Sequence, residues 1–206
     1  MATLQDAMTI ARSVINDTDA TNYRYADPDL LDYGNRALAE ICRIAPRLFY
    51  QTSNMTCVQG APLQRLDGTI SLKLVDILSI VGGGVVTLKD REAISAADPG
   101  WMGGAQAPAE HWCPFLDDPN GFLLYPLAPA NQSLLTVYVK PPATLLATDP
   151  FPIAPAYVQN VADYIVGMSQ ARDDIAVNTQ LMAASFQRFY AAFQAAMPAQ
   201  APAPNQ

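Results

Sequence analysis

The sequence predicts an α+β fold: a helical bundle built from the N- and C-terminal helices, with an antiparallel β domain inserted between them. Three observations carry this expectation. Apolar residues recur at helical spacing up to about residue 52, strand-like alternation broken by turn residues occupies the middle, and helical spacing returns after residue 155. The expected divisions are N-terminal helices over 1–52, an inserted β domain over 53–150, C-terminal helices over 151–197 and a Pro/Ala-rich tail over 198–206.

The first helix rests on Leu4, Ala7, Met8, Ala11, Val14 and Ile15, a three-and-four spacing that places one apolar stripe on one face and should end near Asp17. "NDTDATNYRY" then reads as a polar connection. In "ADPDLLDYGNRALAEICRIAP", Asp27 is the expected N-cap, Pro28 suits the first turn and Asp29 complements the helix dipole. Pro46 should stop this second helix, while Gly34 and Ala37 in its stripe allow a neighbour to approach closely.

From residue 53 the expected strands are "MTCVQ", "TISLKL", "VDILSIV", "GVVTLK", "EHWCPF", "FLLYPL" and "LLTVYVK". One short helix, "DREAISAAD", lies among them, capped by Asp90 and stopped by "DPGW". "PPATLLATDPFPIAP" leads out of the sheet. Tyr157, Val158, Val161, Ile165 and Met168 then mark a helical face, and Leu181, Met182, Ser185, Phe186, Phe189, Tyr190 and Phe193 mark another.

Charge narrows the function classes. The 206 residues include 12 basic and 19 acidic ones, for a formal net charge of −7, and acidic residues outnumber basic ones in 1–50, 51–150 and 151–206 alike. A protein that wraps DNA phosphates needs a basic patch, which this chain lacks. No apolar run approaches the roughly 18 residues of a membrane-spanning helix, and the N-terminus lacks the order of a signal peptide, so no membrane partner and a cytosolic site of synthesis are expected. Cys42, Cys57 and Cys113 have no CxxC spacing, which disfavours a zinc knuckle or a disulfide framework.

"EHWCPFLDDPNGF" raises the sharpest chemical question, because a Cys/His pair can be a nucleophile and its base. His111 and Cys113 would share a strand face, yet no acid orients the imidazole and no oxyanion hole is evident. Asp118, Pro119, Asn120 and Gly121 are instead the residues a tight turn requires, so the stretch reads as a hairpin. A metal site from His111, Cys113, Asp117 and Asp118 would mix ligand types across that turn. "VGGGVV" lacks the GK[ST] ending of a phosphate loop, and "GMSQA" lacks the closing glycine of a nucleophile elbow. No catalytic residue, metal ligand or cofactor is expected, and a Cys/His hydrolase is the remaining enzymatic alternative.

The candidate residues are therefore those of a protein interface: Tyr23, Arg24, Tyr25, Trp101, Arg188, Pro198, Pro202 and Pro204. Arg24, between two tyrosines, is the one aromatic-basic knot, either anchoring a partner or stacking at a helix entrance. The tail "PAQAPAPNQ" cannot form a core of its own.

Five segments in order resemble the head-to-tail adaptor (connector) proteins of short-tailed bacteriophages, the family that includes tail tubular protein A. They are "YRYADPDLLDYGNRALAEICRIAP", "DILSIVGGG", "VVTLKDREAISAADPGW", "HWCPFLDDPNGFLLYPL" and "IAPAYVQNVADYIVGMSQARDDIAVNTQLMAASFQRFYAAF", and together they cover nearly the whole chain. The resemblance implies a structural virion protein forming a dodecameric ring beneath the portal. It also implies docking of the tail nozzle and fibres, and passage of genomic DNA through the ring without sequence-specific binding. Another tail component, a nozzle or completion factor, is the alternative within the same class. The Pro/Ala ending after Pro198 has no place in that pattern.

Overall fold

The computed structural model describes residues 2–172 and 178–194. Among these, five α-helices occur: α1 (Leu4–Val14), α2 (Asp27–Ile44), α3 (Arg91–Ala97), α4 (Val158–Ala171) and α5 (Thr179–Gln194). Seven strands also occur: β1 (Tyr50–Thr56), β2 (Leu63–Arg65), β3 (Lys73–Ile80), β4 (Thr87–Leu88), β5 (His111–Pro114), β6 (Gly121–Tyr125) and β7 (Ser133–Val139). The fold is α+β. The chain divides into two compact units, one of Met1–Leu48 with Pro142–Gln206 and one of Phe49–Pro141.

The helical unit is organised around α4, which packs against α1, α2 and α5. That is why α4 is buried nearly all round: Val161, Ala162 and Ile165 are fully covered, as is Ser169, whereas the expected Met168 is only half-buried. Two glycines permit the close packing. A Cβ on Gly34 would lie 3.0 Å from Leu4 Cδ2, and one on Gly167 would lie 2.9 Å from the Phe186 ring. The near-elbow "GMSQA" is thus a helix-packing segment. Helix α5 buries Ser185, Phe189 and Phe193, and Tyr190 donates from its hydroxyl to Glu40 Oε1 on α2 at 3.1 Å.

Local chemistry sets the helix ends. Thr3 and Asp6 form a capping box at the start of α1, with Asp6 Oδ2 accepting from the Thr3 N–H at 2.8 Å and Thr3 Oγ1 accepting from the Asp6 N–H at 3.4 Å. The helix stops at Val14, short of the expected Asp17, because Asn16 turns into the left-handed region at φ 55°. Nor is Asp27 the N-cap of α2: Ala26 takes that position, and the Asp27 carboxylate binds Arg12 instead. The proline-rich passage before α4 is strapped along the bundle, where Asn35 exchanges two hydrogen bonds with Leu145 and Gln5 donates to the Ala147 carbonyl.

The β unit holds two sheets, in the orders β1-β7-β3 and β2-β6-β5-β4. Their facing side chains make one core: Leu74 and Ile77 from β3, Leu134 and Tyr138 from β7, Trp112 from β5, and Phe122 and Leu124 from β6. On the other face of the second sheet, Ile94 of α3 and Trp101 pack with Cys113 and Leu123. Strand β6 is therefore covered on both sides, and it reads as the continuous apolar run "FLLY".

Three details correct the expected β domain. Pairing is antiparallel except between β4 and β5, which are parallel; α3 lies between them in sequence and supplies the crossover a parallel pair requires. "TISLKL" is not one strand, because Asp67 draws the chain into a turn by accepting from the Thr69 N–H at 2.8 Å. The short β2, which alternation failed to reveal, is held by Gln64, whose side chain bonds the backbone of Val58 and Ala61.

Candidate functional site

The His111/Cys113 strand resolves into structure. "LDDPNG" is a turn: Gly121 donates to the Asp118 carbonyl at 3.0 Å, and Asp118 Oδ1 accepts from the Asn120 N–H at 3.0 Å. The buried Asn120 side chain reaches further, accepting from Ser71 Oγ at 2.8 Å and donating to the Ser71 carbonyl at 3.0 Å. Arg65 pairs with Asp118 at 2.6 Å. These bonds tie the tip of the hairpin to the chain between β2 and β3.

Neither member of the possible dyad is arranged for nucleophilic chemistry. His111 Nδ1 lies 2.7 Å from Thr87 Oγ1, and its ring stacks on Tyr125 with centroids 6.3 Å apart. Cys113 is buried against Ile94, Trp101 and Leu123. Burial pushes its thiol pKa up, only partly opposed by nearby Arg91. Burial likewise raises the thiols of Cys42 and Cys57. A reactive cysteine needs the opposite setting. All three thiols are expected to stay unmodified by a water-soluble disulfide reagent at mildly alkaline pH and to react promptly once urea unfolds the chain; rapid native-state labelling of Cys113 would contradict this placement. Among the described residues no group of three or more His, Cys, Asp or Glu side chains could hold a metal ion.

The aromatic-basic knot near residue 24 exists, but Arg12 is its centre. This side chain, interior to α1 and buried, donates to Asp17 Oδ2, to the Tyr25 carbonyl at 2.9 Å and to Asp27 Oδ1. Its guanidinium carbon also stands 3.5 Å above the centroid of the Tyr23 ring. Asp17, buried too, accepts from the backbone N–H groups of Arg24 at 2.8 Å and Tyr25 at 3.3 Å. One planar cation and one carboxylate thereby fold the whole polar connection between α1 and α2.

The other expected interface residues have distinct placements. Tyr23 and Arg24 are exposed, and Arg24 lies 5.1 Å from the Tyr25 ring centroid. Tyr25 and Trp101 are each 2% exposed, so the fold covers both side chains instead of leaving them at the surface. Tyr25 is covered beside the Arg12 node, and Trp101 sits under α3 with its indole N–H donating to Ser95 Oγ at 3.1 Å. Arg188 is half-exposed and ion-paired at 2.8 Å with Asp163, a carboxylate buried in α4. Pro198, Pro202 and Pro204 lie outside the described residues.

Surface residues that sequence reasoning missed are apolar: Leu146 of the helical unit is 66% exposed, and several others belong to the β unit. Leu116 is 95% exposed, Val85 73% and Leu88 64%. Leu88 and Leu116 border a cleft of about 450 Å³ that Cys113, Phe115 and Leu123 also line, with Lys89, Asp90 and Arg91 among its charged groups. The only available signal was "VVTLK" and "PFLDD" themselves, since alternation identifies a strand without showing which face lacks a neighbour. Apolar floor and mixed-charge rim suit non-covalent contact with another polypeptide surface.

No helix among the described residues is long and apolar enough to cross a membrane. A family model described as SU10 adaptor protein matches residues 2–206. No curated protein matches the chain.

Proposed function

The chain belongs to the SU10 adaptor protein family, and on that premise we propose that it is a phage head-to-tail adaptor that forms a ring beneath the portal, extends the DNA channel and docks the tail nozzle and fibres. The single observation that carries this reading is the family match across nearly the entire chain. Two physical features support it. The β unit carries exposed apolar side chains beside a cleft, as a docking component requires. An excess of acidic residues suits a conduit through which DNA slides, because weak phosphate attraction does not hold the genome in place.

In this reading the helical bundle engages the portal and adjacent protomers, with Tyr23, Arg24 and Arg188 as interface residues, while the β unit presents surface to the tail. The lumen is acidic or neutral. Ring formation waits for the portal, whose contacts compensate the entropy of ordering docking segments.

Purified protein mixed with intact portal rings is expected to co-sediment with them and to add a ring-shaped layer visible by electron microscopy. Replacing both exposed leucines, Leu88→Ser with Leu116→Ser, should leave portal binding intact and weaken recruitment of the nozzle protein. Failure of the unaltered protein to bind intact portals would overturn the adaptor reading.

A further inference from the structure

The two sheets have four outer strands: β1, β3, β2 and β4. An open edge pairs readily with another chain, and stable proteins blunt such edges by shortness, bulges, proline, charge or covering. Three of the four are blunted here. Strand β4 has two residues, and β2 has three and follows Pro62. Strand β3 carries two register shifts, and its outward groups are occupied: Leu74 donates to the Pro119 carbonyl, Ile77 to Asp76 Oδ1, Ile80 to the Gly84 carbonyl, and Leu78 accepts from Val86.

Strand β1, "YQTSNMT", has none of these devices. It pairs with β7 over its full seven residues without a register shift and contains no Pro, Gly or charged residue. Bonds from the Cys57 N–H to the Gln132 carbonyl and from the Lys140 N–H to the Phe49 carbonyl fix the alternation. Odd-numbered residues therefore face β7, and Tyr50, Thr52, Asn54 and Thr56 direct N–H and C=O away from it. The same four residues are exposed.

We propose that β1 pairs with β1 of a second copy of this chain, antiparallel and two-fold symmetric about Ser53, giving a reversible dimer of the free protein. A second copy brings the same unblunted edge, and β1 is the one long open edge it presents among the described residues, so the pair uses β1 twice. Tyr50 then lies opposite Thr56 and Thr52 opposite Asn54, with no like charges confronted. Such a contact is isologous and stops at two, unlike the head-to-tail contact of a ring. A single strand edge buries far less than the roughly 1,200 Å² of a standard interface, so the pair forms and parts readily. This dimer would shield the edge before assembly; it depends on strand chemistry and stands apart from the portal-binding proposal.

Sedimentation velocity on the full chain, from micromolar to submillimolar concentration, should show a monomer–dimer equilibrium. Thr52→Pro removes an outward N–H while sparing every bond to β7, and should weaken association at least about ten-fold with unchanged circular dichroism. Asn54→Lys should do the same by placing charge on the edge, and serves if the proline variant does not fold. The pairing sets the two Ser53 residues as a non-hydrogen-bonded pair with Cα atoms about 4.5 Å apart, within disulfide reach. Ser53→Cys should therefore give a covalent dimer under mild oxidation, and Asn54→Lys in that background should suppress it. A strictly monomeric protein with no Ser53→Cys dimer, a dimer indifferent to both edge variants, or association that proceeds beyond two would each overturn the proposal.

Discussion

Arg12→Ala is expected to lower the unfolding free energy by about 3–5 kcal/mol, the usual cost of removing one partner from a buried ion pair. Asp17 would be left as a buried carboxylate with two backbone N–H donors and no cation, and Asp27 and the Tyr25 carbonyl would lose their shared donor. Arg12→Lys should recover only part of this loss, because an ammonium lacks the planar fork that reaches three acceptors while standing over the Tyr23 ring. The double variant Arg12→Ala/Asp17→Ala should cost less than the sum of the single changes, since it leaves no unpaired buried charge at that node. Urea denaturation of the unaltered protein, Arg12→Ala, Arg12→Lys, Asp17→Ala and the double variant checks this; additive losses would mean that the two groups do not act as a pair.

Phe122→Ala should cost a further about 3–5 kcal/mol in its own right, as expected for truncating a fully buried aromatic side chain. The ring is 0% exposed, sits in the shared core of the two sheets and meets Trp112 edge-on with centroids 6.5 Å apart. Leu116→Ala, six residues earlier and equally apolar, should change stability by no more than about 0.5 kcal/mol, because that side chain is already in water. Thermal or denaturant unfolding of both variants provides the comparison. Comparable losses would place Leu116 in a covered environment.

Where a local rule governs an element, the chain announces it. The stripe Leu30, Ala37, Leu38 and Ile41 marks α2 and its buried face; Asp90 caps α3 in the structure as its position suggests; "DDPNG" makes the expected turn, because Asp118 and Asn120 bond their own neighbours. Local rules failed where a distant group took over a side chain. Asp27 had the identity and position of an N-cap, but Arg12, fifteen residues away, holds its carboxylate. In "TISLKL" one local rule overrode another: the stretch had the composition of a strand, but Asp67, two residues before Thr69, claims its backbone for a turn.

The interface expectations divide in the same way. Tyr23, Arg24 and Tyr25 could be singled out by composition, yet adjacent residues of one knot differ in exposure, and the cation at its centre comes from the preceding helix α1. That Trp101 is covered could not be read from the sequence, because an isolated tryptophan beside glycines shows nothing of the helix that packs on it. The exposed Leu88 and Leu116 carry no mark at all, since apolar residues look alike in a sequence whether or not a neighbour lies above them.

By itself, then, the order of residues determined the periods of the chain: helical at both ends, alternating between, acidic throughout and without the spacing of a catalytic or metal-binding motif. Only the tertiary structure decided which apolar faces are covered, which strand edge stays open and where Arg12 finds its carboxylates. The reason is physical. Periodicity, turns and most caps arise from groups within a few residues of one another, whereas burial and edge pairing depend on what long-range packing brings alongside.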